Sequence, residues 1–231
     1  MKFDHDNISP LDSRYANKIS ELRENFSESA LIQIRFDIEI EWLLYICINL
    51  PKTFKPLSKQ SIKKIIKFKD SFDNKSVLKI KKIESTTNHD VKAVEYYIRD
   101  QFLKDKVLST YTHLIHFGLT SEDINSLSYA HMIKNGISIY IKELDKVNKI
   151  LKNYSRKWAK QPFLARTHGQ AASPSTLGKE FKVFHERINR EIQHLKSIKP
   201  LAKFSGATGN YHTFDIVDSK LNWIKLNKKF I

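Results

Sequence analysis

The sequence contains little cysteine, glycine or proline, and each scarcity excludes a class of protein. Cys47 is the one cysteine in 231 residues, so no intrachain disulfide can form and a reducing, cytoplasmic location is expected. Six glycines and six prolines disfavour a turn-rich β fold and favour long helices. The first ten residues lack the apolar segment of a signal peptide, and no apolar run reaches the roughly 18 residues of a membrane span. The sequence therefore predicts a cytoplasmic protein with no membrane partner.

Acidic residues are also few beside basic ones, with 25 against 40 and a formal net charge of +15. This excess is compatible with nucleic-acid binding, with affinity for small anionic substrates, or with the lysine-rich composition of an AT-rich genome. The lysines occur singly or in pairs along many segments, and no basic patch is interleaved with aromatic residues. Charge alone leaves all three interpretations open, with nucleic-acid binding the least favoured.

Residues 27–50 have a pattern that fits two kinds of secondary structure. The stretch IQIRFDIEIE alternates apolar and polar residues as a strand does. The apolar residues from Leu31 to Tyr45 also follow helical steps of three and four, with Ser27 as a candidate N-cap. The length of the segment, and Pro51 directly after it, favour a helix.

The rest of the hydrophobic pattern predicts an all-α fold. Residues 59–72 and 75–84 are predicted to form short basic helices. A helix of about 40 residues is predicted from TSEDI at 120 to Lys160, and a second long one over 176–198. Two long antiparallel helices with apolar stripes need further helices, from the same chain or other subunits, to complete a bundle.

The pattern also predicts how the chain is divided. We expect an N-terminal helical domain over 1–110 and, over 111–231, the first long helices of a central helical-bundle domain. After a loop rich in small residues at 204–214, the amphipathic segment LNWIKLNKKFI ends the sequence. Nothing follows to cover its apolar side, so the chain is expected to be truncated inside a domain.

Polar, chemically active side chains are concentrated in four stretches: SRY at 13–15, TTNHD at 86–90, TSED at 120–123 and RTHGQ at 166–170. Three of them border predicted helices, whose N-termini offer free N–H groups and a partial positive charge to anions. A histidine such as His168 in a loop of small residues can transfer protons near neutral pH. Taken one at a time, each stretch is equally explained as a surface loop or a helix cap.

A metal site is the less favoured explanation of the remaining histidines. His113 and His116 have an HxxH spacing, but the sequence shows no third ligand near them. We therefore predict no metal centre.

The order of the motifs is more specific than any one of them. TTNHDVKAVEYY, HFGLTSEDIN and RTHGQAASPSTLGKE follow one another with long helices between them, and SPLDSRY and GATGNYH flank them. From about residue 8 to its end, the chain resembles the bacterial purine-pathway adenylosuccinate lyases of the fumarase/aspartase superfamily. TTNHD distinguishes it from fumarases and argininosuccinate lyases. The resemblance implies a cytoplasmic homotetramer with a central helical bundle.

The resemblance also implies a reaction and a set of site residues. These enzymes remove fumarate from adenylosuccinate and from the succinylo-carboxamide intermediate SAICAR by β-elimination, without a metal or organic cofactor. His168 matches their general acid. Arg14 and Tyr15 match phosphate-binding residues, and Thr120 and Ser121 match donors to the succinyl carboxylates. The other substrate-binding matches are Asn88, His89, Asp90 and, with a less defined role, His116.

One departure from the family affects the expected activity. The family's general base is a serine in a mobile loop of pattern GSSxMPxKxNP, downstream of the RTHGQ histidine, and this sequence has no such segment. The family's active sites combine residues of three subunits. We therefore expect an N-terminal portion of such a lyase that is inactive alone.

The alternatives are another superfamily lyase acting on a succinyl-linked amine and, less favoured, a basic helical nucleic-acid-binding protein.

Overall fold

Residues 9–231 are described by a computed structural model, and most of them are helical, which confirms the all-α prediction. Residues 1–8, which include most of the segment searched for a signal peptide, lie outside the described range. Within residues 9–231, every helix is too short or too polar to cross a bilayer.

The elements follow one another along the chain as nine helices and one hairpin within the described residues. The helices are α1 (Ser20–Phe26), α2 (Glu28–Asn49), α3 (Lys59–Asp70), α4 (Asn74–Thr87), α5 (Asp90–Leu103), α6 (Ser121–Lys157), α7 (Leu177–Ser197), α8 (His212–Val217) and α9 (Trp223–Phe230). Strands β1 (Pro162–Thr167) and β2 (Gln170–Thr176) pair antiparallel between α6 and α7. Two 3-10 helices, Ala16–Lys18 and Leu108–Leu114, complete the order.

Helix α2 confirms the helical interpretation of residues 27–50. Ser27 caps it, since its side chain accepts a hydrogen bond from the backbone N–H of Ala30 at 3.2 Å. Phe36, Ile40 and Ile46 are all essentially inaccessible to solvent. A helix surrounded by other elements carries apolar residues outside a single stripe. That burial explains why its sequence alternates like a strand.

The described residues divide into two compact units. One consists of residues 9–132 and 200–231, and the other of residues 133–199, with α6 running from the first into the second. The predicted division into domains 1–110 and 111–231 remains a prediction.

The first unit has an aromatic core in which α2 packs against the C-terminal helices. The Trp42 ring lies 5.0 Å from Phe204 and 5.0 Å from Phe230, centroid to centroid. The hydroxyl of Tyr45 donates to the carbonyl of Leu226 at 2.9 Å. The apolar side of the last segment, for which the sequence analysis found no cover downstream, thus packs against α2. The chain returns to α2, more than 170 residues earlier, and covers that side itself.

In the second unit, the C-terminal half of α6 packs against α7. Asn148 Oδ1 lies 2.7 Å from His185 Nδ1, and the Tyr154 ring lies 5.3 Å from that of Phe181. Residues later in α6 contact residues earlier in α7, so the two helices are antiparallel, as predicted. Thr176 caps α7 by accepting a hydrogen bond from the N–H of Lys179 at 3.2 Å.

Candidate active site

Backbone strain in the described residues coincides with the sequence motifs. Four non-glycine residues within 9–231 have positive φ: Asn88 at 51°, His116 at 61°, His168 at 51° and Tyr211 at 59°. They lie in TTNHD, HFGLTSED, RTHGQ and GATGNYH, one in each. A non-glycine residue in this conformation costs on the order of 1–3 kcal/mol, which the surrounding structure must offset. Such strain is found most often at functional sites, clamps and switch regions.

The TTNHD motif forms the junction between α4 and α5. Asn88 ends α4 in the left-handed conformation, and its N–H donates to the carbonyl of Glu84 at 2.8 Å. His89 caps α5, because its Nδ1 accepts from the N–H of Lys92 at 3.2 Å. The neutral ring therefore carries its proton on Nε2, which lies 3.4 Å from the Ser121 hydroxyl. His89 and Ser121, predicted from separate motifs, are thus brought together.

Asp90 is held by a residue that the sequence analysis did not select. Its carboxylate accepts from the N–H of Val91 at 2.8 Å and from Arg35 Nη2 at 2.7 Å. Partial burial would raise the pKa of Asp90, but the Val91 hydrogen bond and the Arg35 charge outweigh it and lower that pKa. Arg35 itself is only 4% exposed on α2. The sequence did contain a signal for this role, because Arg35 is the one basic residue of α2, a helix rich in apolar residues.

The HFGLTSED motif is fixed by α2 in the same way. Trp42 Nε1 donates to the carbonyl of Phe117 at 2.9 Å, and His116 Nδ1 lies 2.5 Å from Glu39 Oε1. Glu39 was also missed from the sequence, although it lies one helical turn after Arg35. One buried face of α2 therefore contacts both the TTNHD and the HFGLTSED motifs.

Asp123 joins the start of α6 to the GATGNYH loop. Its carboxylate is fully buried and accepts backbone N–H groups of Thr120 at 2.9 Å, Ser205 at 2.9 Å and Gly206 at 3.1 Å. It also pairs with Lys203 Nζ at 2.8 Å. The sequence indicated only a favourable charge at a helix N-terminus. In the structure this carboxylate holds two motifs in one arrangement.

Gly118 is the position in this region where a side chain is excluded. Its φ is 73°, and an added Cβ would lie 2.4 Å from Cε1 of Phe214, a fully buried ring. We expect Gly118→Ala to lower the free energy of unfolding by about 2–5 kcal/mol, from overpacking and left-handed strain together. Urea unfolding followed by fluorescence measures this in a Trp158→Phe background, since the remaining Trp42 and Trp223 are buried in the first unit.

Gly209→Ala is the matched control for that prediction. Its φ is 78°, but a Cβ there would meet only the Ser205 hydroxyl oxygen at 3.7 Å. It should therefore show the strain without the overpacking and lose less stability than Gly118→Ala. Equal losses would contradict the steric part of the argument.

Arg14 and Tyr15 lie at the beginning of the first unit, both exposed. The Arg14 guanidinium carbon is 5.5 Å from the centroid of the Tyr15 ring, and Lys18 Nζ is 5.8 Å from the same centroid. This pairing of two cations around one aromatic ring suits an anionic ligand.

The RTHGQ stretch is a hairpin and not the irregular loop that the sequence analysis expected. Thr167 pairs with Gln170, and His168 and Gly169 form the two-residue turn, with φ of 51° and 78°. Positive φ at both central positions is the signature of a type I′ turn, which asparagine–glycine usually provides. Arg166 Nη1 donates to the Gly169 carbonyl at 3.3 Å. His168 is therefore exposed at the tip of the hairpin in the second unit.

The histidines with HxxH spacing differ in their surroundings. His113 is exposed, whereas the His116 ring is mostly buried against Glu39. Within residues 9–231, no group of three or more His, Cys, Asp or Glu side chains is arranged to hold a metal ion.

The first unit thus presents hydrogen-bond donors at the beginnings of two helices. The His89 ring caps α5, and the Ser121 hydroxyl opens α6. Helix N-termini favour carboxylates and phosphates, and fixed donors stabilise negative charge that develops during a reaction. These groups of the first unit are suited to binding the anionic groups of a ligand.

Comparison with known proteins identifies the class that this helical fold and these motifs define. The model of a protein family described as Lyase matches residues 13–229, and the chain belongs to this family. A solved fumarate lyase from Mesorhizobium sp. BNC1 has the same fold, with a TM-score of 0.73 at 18% identity, covering 91% of this chain and 47% of that one.

Two curated relatives at about 40% identity are both adenylosuccinate lyases. The chain is 40% identical over 227 residues to the adenylosuccinate lyase of Buchnera aphidicola subsp. Schizaphis graminum, covering 97% of this chain and 50% of that protein. It is 39% identical over 232 residues to the adenylosuccinate lyase of Dictyostelium discoideum, covering 97% and 49%. The resemblance to adenylosuccinate lyases is therefore confirmed. The chain spans about half the length of the curated relatives it matches.

Proposed function

We propose that the chain is part of an adenylosuccinate lyase, which splits adenylosuccinate into AMP and fumarate and releases fumarate from SAICAR. The observation that carries the proposal is the identity of about 40% to adenylosuccinate lyases across 97% of the chain. We place the reaction in the cytoplasm, in keeping with a single, buried, unpaired cysteine.

The reaction requires one proton to be removed from carbon and one to be added to nitrogen. A base takes the proton next to a carboxylate, the C–N bond breaks, and an acid protonates the departing nitrogen. His168 is the proposed acid, since its ring is exposed on a turn whose own backbone is fixed by hairpin pairing. The proposed base lies outside these 231 residues, because they contain no segment of the family's serine-loop pattern.

The first unit is proposed to bind the substrate's anionic groups. Ser121 and Thr120 at the beginning of α6, with the His89 Nε2 proton beside them, are suited to the succinyl carboxylates. Arg14 and Tyr15 are suited to the nucleotide phosphate. Negative charge that spreads onto a carboxylate during proton removal would be stabilised by such fixed donors.

Association with further chains is supported by the surface of the second unit. Both strands of its hairpin are largely exposed, although an isolated two-stranded hairpin is marginal in water. Large apolar side chains are exposed along its helices, among them Tyr140, Val147, Ile150 and Phe184. Exposed stripes of this kind mark association surfaces. The proposed assembly is the homotetramer expected for the family.

The test is an assay of fumarate release from adenylosuccinate. The chain is measured alone and mixed with a polypeptide that supplies the second half of a related adenylosuccinate lyase. Activity in the mixture alone is the expected result. No activity in a mixture in which both polypeptides are shown to be folded and associated would contradict the proposal. Activity of these 231 residues alone would refute the placement of the base outside them.

A further inference from the structure

Glu39 is a buried carboxylate to which the proposed reaction gives no role. It lies on α2 and is 1% exposed, and its Oε1 is 2.5 Å from Nδ1 of His116. Within residues 9–231, its Oε2 has no hydrogen-bond partner. A buried carboxylate is costly unless a cation compensates it. The ring that it contacts is therefore the group whose charge it controls.

The charges that face His116 come from α2 and α5. Burial alone would lower the pKa of His116, but the Glu39 hydrogen bond and the negative charges of Glu39 and Glu95 outweigh it, while Lys92 opposes them. The pKa of His116 is consequently raised above its ordinary value of 6.5. Glu95 is itself bound by Lys92 at 2.8 Å and Arg99 at 3.0 Å. Glu39 is the carboxylate in direct contact with the ring.

The backbone fixes the direction of the ring as well as its charge. His116 is held at a φ of 61°, and the next residue, Phe117, is anchored through its carbonyl by Trp42. With Nδ1 committed to Glu39, the second ring nitrogen, Nε2, makes no hydrogen bond to any residue within 9–231. The His116 side chain remains 15% exposed. A ring held in this way offers a single N–H to a ligand.

We propose that Glu39 is a positioning residue that keeps His116 as an imidazolium with its Nε2–H directed to an anionic oxygen of the substrate. In this arrangement His116 is a fixed cationic donor and not a proton-transfer group. The inference rests on the proposed function for the identity of the ligand, but the state of the Glu39–His116 pair can be measured without any lyase activity.

The first measurement is an NMR titration of the His116 ring in the whole chain. In Glu39→Gln, burial is no longer offset by the contacting carboxylate, so the pKa of His116 should fall below that of the parent chain. Glu41→Gln is the matched control, because Glu41 lies on the same helix but pairs with Lys69 at the surface. An unchanged His116 pKa in Glu39→Gln would overturn the proposal.

The second measurement uses inorganic phosphate and fumarate as separate probes of the anionic oxygen. At a pH at which His116 of the parent chain is protonated, at least one of the two probes should shift its Nε2–H resonance in the parent chain and in Glu41→Gln, but not in Glu39→Gln. A response to phosphate alone assigns a phosphoryl group, and a response to fumarate alone assigns a carboxylate. No response to either probe would refute the donor role. If the parent chain responds to a probe in this way but releases no fumarate when mixed with the second half of a related lyase, the proposed function is contradicted and the donor role of His116 is not.

A third measurement does not depend on the folding of a Glu39 variant. Because the folded-state pKa of His116 is raised, the pair's contribution to stability is fully present below 6.5 and is lost as pH rises through the folded-state pKa. The difference in free energy of unfolding between the parent chain and His116→Gln should shrink over that interval. A difference that is independent of pH would mean that His116 is not held as a cation.

Discussion

Replacing His168 by asparagine should lower fumarate release by about 10²–10⁴-fold when the chain is combined with the polypeptide that completes the site. Without the imidazole, the departing nitrogen leaves as an anion or takes its proton from water. Asparagine tolerates positive φ, and asparagine–glycine is the preferred pair for a type I′ turn, so the hairpin should keep its geometry. This variant therefore removes the proposed acid and leaves the hairpin that carries it in place.

His194→Asn is the matched control for the loss of an exposed histidine. His194 lies on α7, also in the second unit, and its side chain is 74% exposed. It should retain the activity of the parent mixture. Activity of His168→Asn within a few-fold of the parent would contradict the assignment of His168 as the acid. Membership of the family would remain supported by the sequence comparison.

His168 also shows the limit of sequence analysis at the site. The motif was found because small residues surround a histidine between two helical patterns. The hairpin was not predicted, because histidine–glycine is an unusual type I′ turn and the small residues of β2 give no strand signal. Composition located the residue, whereas pairing of β1 with β2 determines where its ring is displayed.

The helices were predicted more reliably because each depends on local spacing. Helices α6 and α7 start within one residue of their predicted beginnings, where Thr120 and Thr176 precede the apolar stripes. α2 was harder, because it is buried on several sides and its pattern lost the single helical stripe. The contact between α2 and α9 could not be predicted, since nothing local links residues so far apart.

Arg35 and Glu39 were missed for the same reason. Each is an ordinary charged residue when only its neighbours in sequence are considered. Each acquires a role from a partner outside its own helix, Asp90 for Arg35 and His116 for Glu39. Both are charges at helical spacing i and i+4, but two acidic residues of the same segment share that spacing, and only burial distinguishes the pair of Arg35 and Glu39. Such a pair must be compensated when the helix is buried, and functional loops are one source of compensation.

The second large effect is expected from Asp123→Ala, which should lower the free energy of unfolding of the first unit by about 3–5 kcal/mol. The substitution leaves the backbone N–H groups of Ser205 and Gly206 without their buried acceptor, and Lys203 without its counter-ion. Glu122→Ala is the control, because Glu122 is exposed beside it and should change stability by less than about 0.5 kcal/mol. Fluorescence-monitored urea unfolding in the Trp158→Phe background measures both.

Amide hydrogen exchange separates local from global effects of this carboxylate. In the parent chain, the amides of Ser205 and Gly206 should be protected, since both donate to a fully buried group. Asp123→Asn keeps one oxygen acceptor and the shape of the side chain but loses the charge, so exchange at one or both amides should accelerate before the unit unfolds. Protection that is unchanged in Asp123→Asn would mean that the loop is held by its packing alone. Accelerated exchange confined to these amides would show that one carboxylate sets the relative position of the TSED and GATGNYH motifs.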